Sequence, residues 1–255
     1  MKNNFNLVLI ALLIFLTASC DKTEPIDQIP EKFSKKVLIE EFGGEWCSFC
    51  VEGAKSFEAL LDGDKVHFIG VSLHYDDPFE VKYPSVVNML LSAFEIISFP
   101  NTVVDRTIDK EKSWAVQADY RFSRGTDVGI KAKTEIVNNN LDITIEYASN
   151  TGIDTAFLTV YVVEDFVPES SPGAQSGGGG NYVHRHVLRQ VLTKKSGNLI
   201  SLEKGKIQEK TFKGVKLGQY KNSNVTIVAF IHKDSSKSFE VLNATSVKVG
   251  EESEW

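Results

Sequence analysis

Hydrophobic periodicity switches partway along this chain, and the switch limits the folds open to it. Between Val37 and Phe122, short apolar runs alternate with segments whose apolar residues recur every three or four positions. Alternation of that kind builds a parallel sheet covered by helices. From Asp127 onward, apolar side chains fall on every second position, as in Leu141, Ile143, Ile145 and Tyr147. That is the pattern of strands with one buried face. The boundary reads at Ser123-Arg124-Gly125-Thr126.

In the first half, Val37 to Phe42 reads as a buried strand that only Glu40 and Glu41 interrupt. From Cys47, apolar residues at 47, 50, 54, 57 and 61 mark one helical face, and Asp62-Gly63 ends the helix with a C-terminal glycine. Val66 to Leu73 reads as a second strand and Tyr83 to Phe94 as a second helix, with Pro84 acceptable in its first turn. A turn at Ser98-Phe99-Pro100-Asn101 leads into a strand from Thr102 to Asp105, and Lys112 to Phe122 reads as helix. No clear strand separates Arg106 from Ser113. The second half reads as strands at 128–137, 141–147, 155–165, 182–193, 205–213, 224–233 and 238–249. Strands with polar turns in that number suggest an antiparallel, immunoglobulin-like β-sandwich over 127–250. Pro168 to Gly180 reads as a flexible loop. Its run Gly177 to Gly180 lacks the following Gly-Lys-Ser/Thr and the helix that a phosphate loop requires.

The N-terminus sets the compartment. Lys2 precedes an apolar run from Leu7 to Leu16, then Thr17-Ala18-Ser19-Cys20. The run is shorter than the ~20 residues a spanning helix needs, and its layout is that of a secretory signal. A cysteine directly after the small residues resembles the bacterial lipobox, with Thr17 in place of the usual leucine. Residues 1–19 are then a lipoprotein signal peptide, and acylated Cys20 anchors the mature chain on a membrane. An ordinary signal peptide with an incidental cysteine is the alternative. Residues 20–35, polar and carrying Pro25 and Pro30, read as a tether.

With 42% hydrophobic and 24% charged residues, the remainder is an ordinary globular sequence. Loss of residues 1–19 removes one charge, Lys2, and moves the formal net charge from −6 to −7. No basic cluster exists to neutralise phosphates, so nucleic acid is not an expected partner.

The chain has three cysteines. Once Cys20 is assigned to the anchor, Cys47 and Cys50 have only each other as intramolecular disulfide partners. The thiolate is the reactive form, and a helix N-terminus favours it. On this reading Cys47 is the attacking thiol and Cys50, one turn deeper, the resolving one, while Glu45 and Glu52 oppose the helix field. Glu41, at the end of the buried strand, is placed to accept the Cys50 proton. A static disulfide, or half of a zinc site completed through His74, would use the same residues. Further on, His184 and His186 would share one strand face, with Arg185 and Arg189 on the other. A third ligand from elsewhere would be needed to make the histidines a metal site. The leading reading has no metal and no cofactor.

The segment Glu41-Phe42-Gly43-Gly44-Glu45-Trp46-Cys47 resembles the thioredoxin superfamily, which carries an acid, an aromatic, two further residues, an acid and Trp-Cys in that order. Phe94-Glu-Ile96-Ile-Ser-Phe-Pro100-Asn-Thr-Val-Val keeps the superfamily's spacing to a proline that faces the dithiol. The resemblance implies a thioredoxin-like domain over 36–123, a cis Pro100, and substrate contact through Trp46, Phe99 and Pro100. Ser48-Phe49 replaces the usual Gly-Pro, so the family's redox potential does not carry over.

Taken with the N-terminal cysteine, Trp-Cys-x-x-Cys, Pro-Asn-Thr-Val-Val-Asp-Arg106 and Asn181-Tyr-Val-His-Arg-His-Val-Leu-Arg189, the chain resembles the 28-kDa outer-membrane lipoprotein family of Bacteroidota-type bacteria. That family joins a thioredoxin-like region to a β-rich one. Two functions follow from the resemblances. One is thiol–disulfide exchange with envelope proteins through Cys47 and Cys50. The other is a non-catalytic surface receptor or adhesin that keeps the scaffold for binding, facing either the periplasm or the exterior.

Overall fold

A computed structural model describes residues 29–83, 85–109, 112–233 and 238–255, so the expected signal peptide, Cys20 and most of the expected tether lie outside the described residues. Strand β1 (Val37–Gly43) runs parallel to β2 (Phe68–His74), and helix α1 (Cys50–Gly63) connects them. Helix α2 (Val86–Ala93) leads to β3 (Asn101–Val104), which lies antiparallel on the other edge of β1. Helix α3 (Trp114–Ser123) follows, its first turn capped by the Ser113 hydroxyl, which accepts from Val116 N at 3.4 Å. Strict alternation along β1 sends Val37 and Ile39 into a core with Phe57 and Leu61 of α1. Leu38 and Phe42 point the other way, toward Val86 and Leu90 of α2.

Past residue 127 the chain is β-rich. Strands β4 (Val128–Val137) and β5 (Asn140–Ser149) form a hairpin turned by Asn138 and Asn139, both at positive φ, a conformation asparagine tolerates. With β11 (Gln208–Val215) they make a three-stranded sheet ordered β11-β5-β4. Its apolar face packs on alternate residues of β6 (Ile153–Glu164) and β12 (Val225–His232), among them Leu158, Val160, Ile227 and Ala229. Strand β13 (Val241–Lys248) flanks β12, and β10 (Asn198–Leu202), which the periodicity did not mark, pairs with β6. The expected strand 182–193 is split into β8 (Val183–His184), paired with β7 (Val167–Pro168), and β9 (Val187–Val191).

The larger of these two layers does not end with the β-rich half. Strand β9 pairs antiparallel with β6 on one side and parallel with β2 on the other, so one mixed sheet runs β13-β12-β6-β9-β2-β1-β3 through both halves of the chain. The bond from Ser72 N to His186 O, at 2.7 Å, closes the junction. Physically, a parallel edge strand such as β2 needs a partner for its free backbone groups, and β9 supplies it. The sheet also curls back: Val241 N, at the start of β13, donates to Asp105 O at 2.8 Å.

The Asp105-Arg106 turn that follows β3 has both residues at positive φ. Beneath it Arg106 forms a two-pronged bond to Glu40, at 2.8 and 2.9 Å, and donates to Tyr161 Oη at 2.7 Å. The guanidinium also lies 4.6 Å from the Phe230 ring centroid. Glu40 comes from β1, Tyr161 from β6 and Phe230 from β12, so this buried cluster ties the two halves together. The described end of the expected tether is packed as well. Phe33 sits over Gly129 and meets Trp255, and Lys35 Nζ lies 2.6 Å from the fully buried Asp105 carboxylate.

Candidate functional site

The strand β1 ends at Gly43, and a turn over Glu45 and Trp46 carries the chain to Cys47. The helix does not open at Cys47, as the spacing suggests, but at Cys50. Cys50 N bonds Cys47 O at 3.2 Å in a further turn, and only from Gly53 N to Phe49 O does the helical ladder begin. Cys47 therefore stands one turn ahead of the helix N-terminus. The two sulfurs are joined as a disulfide, with Cα atoms 5.3 Å apart. Both cysteines are nearly covered, Cys47 at 5% exposure and Cys50 at 7%, while neighbouring Trp46 and Phe49 stand open at 47% and 77%.

The Trp46 indole N–H donates to Tyr75 O at 2.8 Å, which holds the ring over Gly44. Phe99 meets Trp46 edge-on at 5.3 Å and stacks on Tyr75 at 5.7 Å. The Phe99–Pro100 peptide is cis. The proline ring lies on the first turn of α1, where a Cβ added to Gly53 would come within 2.5 Å of Pro100 Cγ. Gly53→Ala sets two effects against each other. Helix propensity gains ~1 kcal/mol, whereas overpacking against a ring backed by β3 costs ~1–3 kcal/mol. The expected outcome is a net loss of stability of up to ~2 kcal/mol, read by chemical denaturation.

Glu41 projects from β1 toward the α1 side. It is buried, accepts the Ser72 hydroxyl at 3.0 Å, and is pushed up to about 7 chiefly by burial, against the opposing pull of the Ser72 bond and His74. Glu41 and Cys50 line one cavity of about 370 Å³ together with Ser72, His74, Tyr182 and His184. The structure thus brings Glu41, Cys47, Cys50, Trp46, Phe99 and Pro100 into one neighbourhood. Cys20 lies outside the described residues.

Other expectations change. Glu45 does not face the helix start; it is buried, and its carboxylate accepts Ser170 N at 2.7 Å and the Ser170 hydroxyl. Glu52 is exposed and paired with Lys55. His184 and His186 do not share a face, because His186 takes positive φ and breaks the strand between them. His184 stands 4.8 Å from the His74 ring and 3.5 Å from Glu45, lowered to about 4 by burial and by His74. His186 instead lies beside Phe57 and 3.3 Å from Glu58. Arg185 pairs with Asp165 at 3.1 Å and Arg189 with Glu164 at 3.3 Å. Among the described residues no group of three or more His, Cys, Asp or Glu is arranged to hold a metal ion.

The loop read as flexible, 168–180, is docked on the dithiol turn. Gln175 Nε2 donates to Cys47 O at 3.0 Å, and Ser176 N donates to Glu45 O at 2.7 Å. Sequence reasoning had no signal for Gln175, which lies 128 residues from Cys47. It had one for Glu40, since a carboxylate in a buried strand demands a partner.

Over residues 87–253, well over half of the chain, the sequence matches the family model described as Outer membrane protein Omp28. That segment starts after the dithiol turn and holds β3, α3 and all of the β-rich half. No curated protein matches the chain. Among solved structures it is similar to HBP35 of Porphyromonas gingivalis, with TM-score 0.74 and 22% identity over 85% of this chain and 76% of that one. It is also similar to a protein of Agrobacterium tumefaciens, with TM-score 0.58 and 13% identity over 89% of this chain and 99% of the other. At these identities the two likenesses speak for the fold alone. Among the described residues no helix is long and apolar enough to cross a membrane. The chain belongs to the Omp28 family of outer membrane proteins.

Proposed function

We propose that this outer membrane protein, held by lipid on Cys20, exchanges thiols and disulfides with envelope proteins through a thioredoxin-like first half. The observation that carries the reading is the placement of Glu41 on the cavity that Cys50 lines, with the Cys47–Cys50 pair between a strand end and a helix start. In the reduced form, Cys47 thiolate attacks a partner disulfide; one partner sulfur leaves as a thiolate and a Cys47–partner bond forms. Cys50 then gives its proton to Glu41 and attacks Cys47 Sγ. The mixed bond breaks, the second partner thiolate leaves, and the Cys47–Cys50 disulfide forms. Two electrons pass from the protein to the partner, and the reverse order oxidises a partner dithiol. Trp46, Phe99 and Pro100 form the contact surface beside the sulfurs. The sulfur pair carries the electrons, so the chemistry needs no cofactor.

Cys47→Ser is expected to reduce the rate of protein-disulfide reduction to the uncatalysed background, and Cys50→Ser to trap partners covalently on Cys47. A wild-type protein no faster than Cys47→Ser overturns the reading. A second reading, a non-catalytic receptor or adhesin, is favoured by one observation: the family match begins at residue 87 and excludes the dithiol. Under that reading envelope proteins bind the intact protein equally well with Cys47 and Cys50 both replaced by serine, and no covalent adduct forms with Cys50→Ser.

A further inference from the structure

We propose that residues 169–180 form a strap closed over Cys47, and that a macromolecular thiol reaches the Cys47 sulfur only after the strap lifts. The consequence for turnover rests on the exchange reading above; the closure itself does not. The strap is built as a unit before it meets the dithiol. The Glu169 carboxylate accepts Gly173 N at 3.1 Å and Gln175 N at 3.0 Å, and Gly178 N bonds Gln175 O at 2.9 Å. Its root is the two-residue pairing of β7 with β8.

Its grip on the dithiol turn falls on Glu45, Cys47 and Ser48, and is made by hydrogen bonds at the first two. Ser170 holds the Glu45 carboxylate through its N–H at 2.7 Å and through its hydroxyl. Ser176 N holds Glu45 O at 2.7 Å, and the Gln175 side chain, only 4% exposed, holds Cys47 O at 3.0 Å. Gly177, at φ +78°, passes so close that a Cβ there would lie 3.2 Å from Ser48 O.

The strap meets the turn where exposure changes sharply. The aromatic rim of Trp46 and Phe49 is open, yet the cysteine between them is covered. Gln175 also helps to line the cavity that Glu41 and Cys50 line, so the strap borders both the dithiol and its proton acceptor. None of residues 169–180 belongs to any of the three apolar cores. Hydrogen bonds without core burial are the kind of attachment that opens locally, leaving the rest of the fold intact.

The test uses the oxidised full chain and two reductants. Tris(2-carboxyethyl)phosphine delivers two electrons to the disulfide, which takes up two protons, while the phosphine takes oxygen from water. Reduced thioredoxin attacks Cys47 Sγ with one thiol, releases Cys50 as thiolate, and resolves the mixed disulfide with its second thiol. Rates are followed by maleimide capture of the freed thiols. Ser170→Ala/Gln175→Ala is expected to be reduced by thioredoxin at least tenfold faster than wild type, with a smaller gain for the phosphine. Gly177→Ala, which strains the strap at φ +78° and crowds Ser48 O while leaving the Ser170 and Gln175 side chains in place, is expected to move in the same direction and guards against misfolding of the double variant. Faster deuterium exchange of amides 169–180 accompanies both. Rates within twofold of wild type for both variants and both reductants overturn the strap. Faster chemical reduction without turnover of a protein disulfide by any form supports the strap and removes the exchange reading.

Discussion

Arg106→Met is expected to lower the unfolding free energy by ~3–5 kcal/mol, the cost of leaving one member of a buried ion pair alone. In a folded region of this size that corresponds to a fall in Tm of roughly 10 °C. Both Arg106 and Glu40 side chains have zero exposure, so the ordinary discount for a solvated surface pair does not apply. Deleting the guanidinium strands the Glu40 carboxylate between β1 and the curl of the sheet, and removes the donor that meets Tyr161 Oη. Glu40→Leu leaves a buried cation and is expected to cost a similar amount. The double variant Glu40→Leu/Arg106→Met is expected to recover most of the loss, since an apolar pair of similar volume replaces a desolvated one. Chemical denaturation of all four forms closes the cycle. Single variants within 1 kcal/mol of wild type would show that the pair is solvated and that the two halves are held by apolar packing alone.

Glu41→Gln carries the second large effect, and its sign depends on pH. Burial raises the folded carboxyl from its ordinary 4.5 to about 7. Below 4.5 both folded and unfolded states hold the proton, and the site contributes no pH dependence. Between 4.5 and about 7 the unfolded state releases its proton while the folded state keeps it, so stability falls as pH rises and levels off above about 7. The gap amounts to roughly 3 kcal/mol. Glutamine retains an acceptor for the Ser72 hydroxyl and removes the titration. The variant is expected to match wild type near pH 4 and to exceed it by roughly 3 kcal/mol at pH 8, both measured on the oxidised protein. Equal stability of the two proteins across that range would mean that Glu41 is hydrated. Under the exchange reading the same variant is slow in the step that frees Cys50, so stability and turnover are expected to move in opposite directions.

Much of the local structure is legible in the residues. The apolar run before Gly43-Gly44 gives β1, and the three-to-four spacing after Cys50 gives α1, although the turn bond from Cys50 N to Cys47 O delays the helix by three residues. Periodicity marks a helical face but does not register which end residues spend their N–H groups on a turn, hence the misplaced start. Alternation located β4, β5, β12 and β13 closely, but merged β8 with β9, because a positive φ at His186 breaks the strand and leaves the polar and apolar pattern unchanged. The polar, glycine-rich composition of 168–180 suggested mobility. Its polar groups are instead satisfied by the dithiol turn, a partner that composition does not encode.

From sequence alone came the order of elements, the neighbouring cysteines, the acid six residues before Cys47 and the spaced Pro100. Each is a local property of propensity, turn chemistry or short spacing. Three matters were left to the tertiary structure: that β9 joins the two halves into one sheet, that Arg106 neutralises Glu40, and that Gln175 and Ser170 fasten a loop across Cys47. These contacts link residues 66, 125 and 128 positions apart in the pair, the Ser170 anchor and the Gln175 anchor. Pairings at such separations depend on which unsatisfied groups the fold happens to bring face to face, and hydrogen-bonding need at one residue does not name its partner.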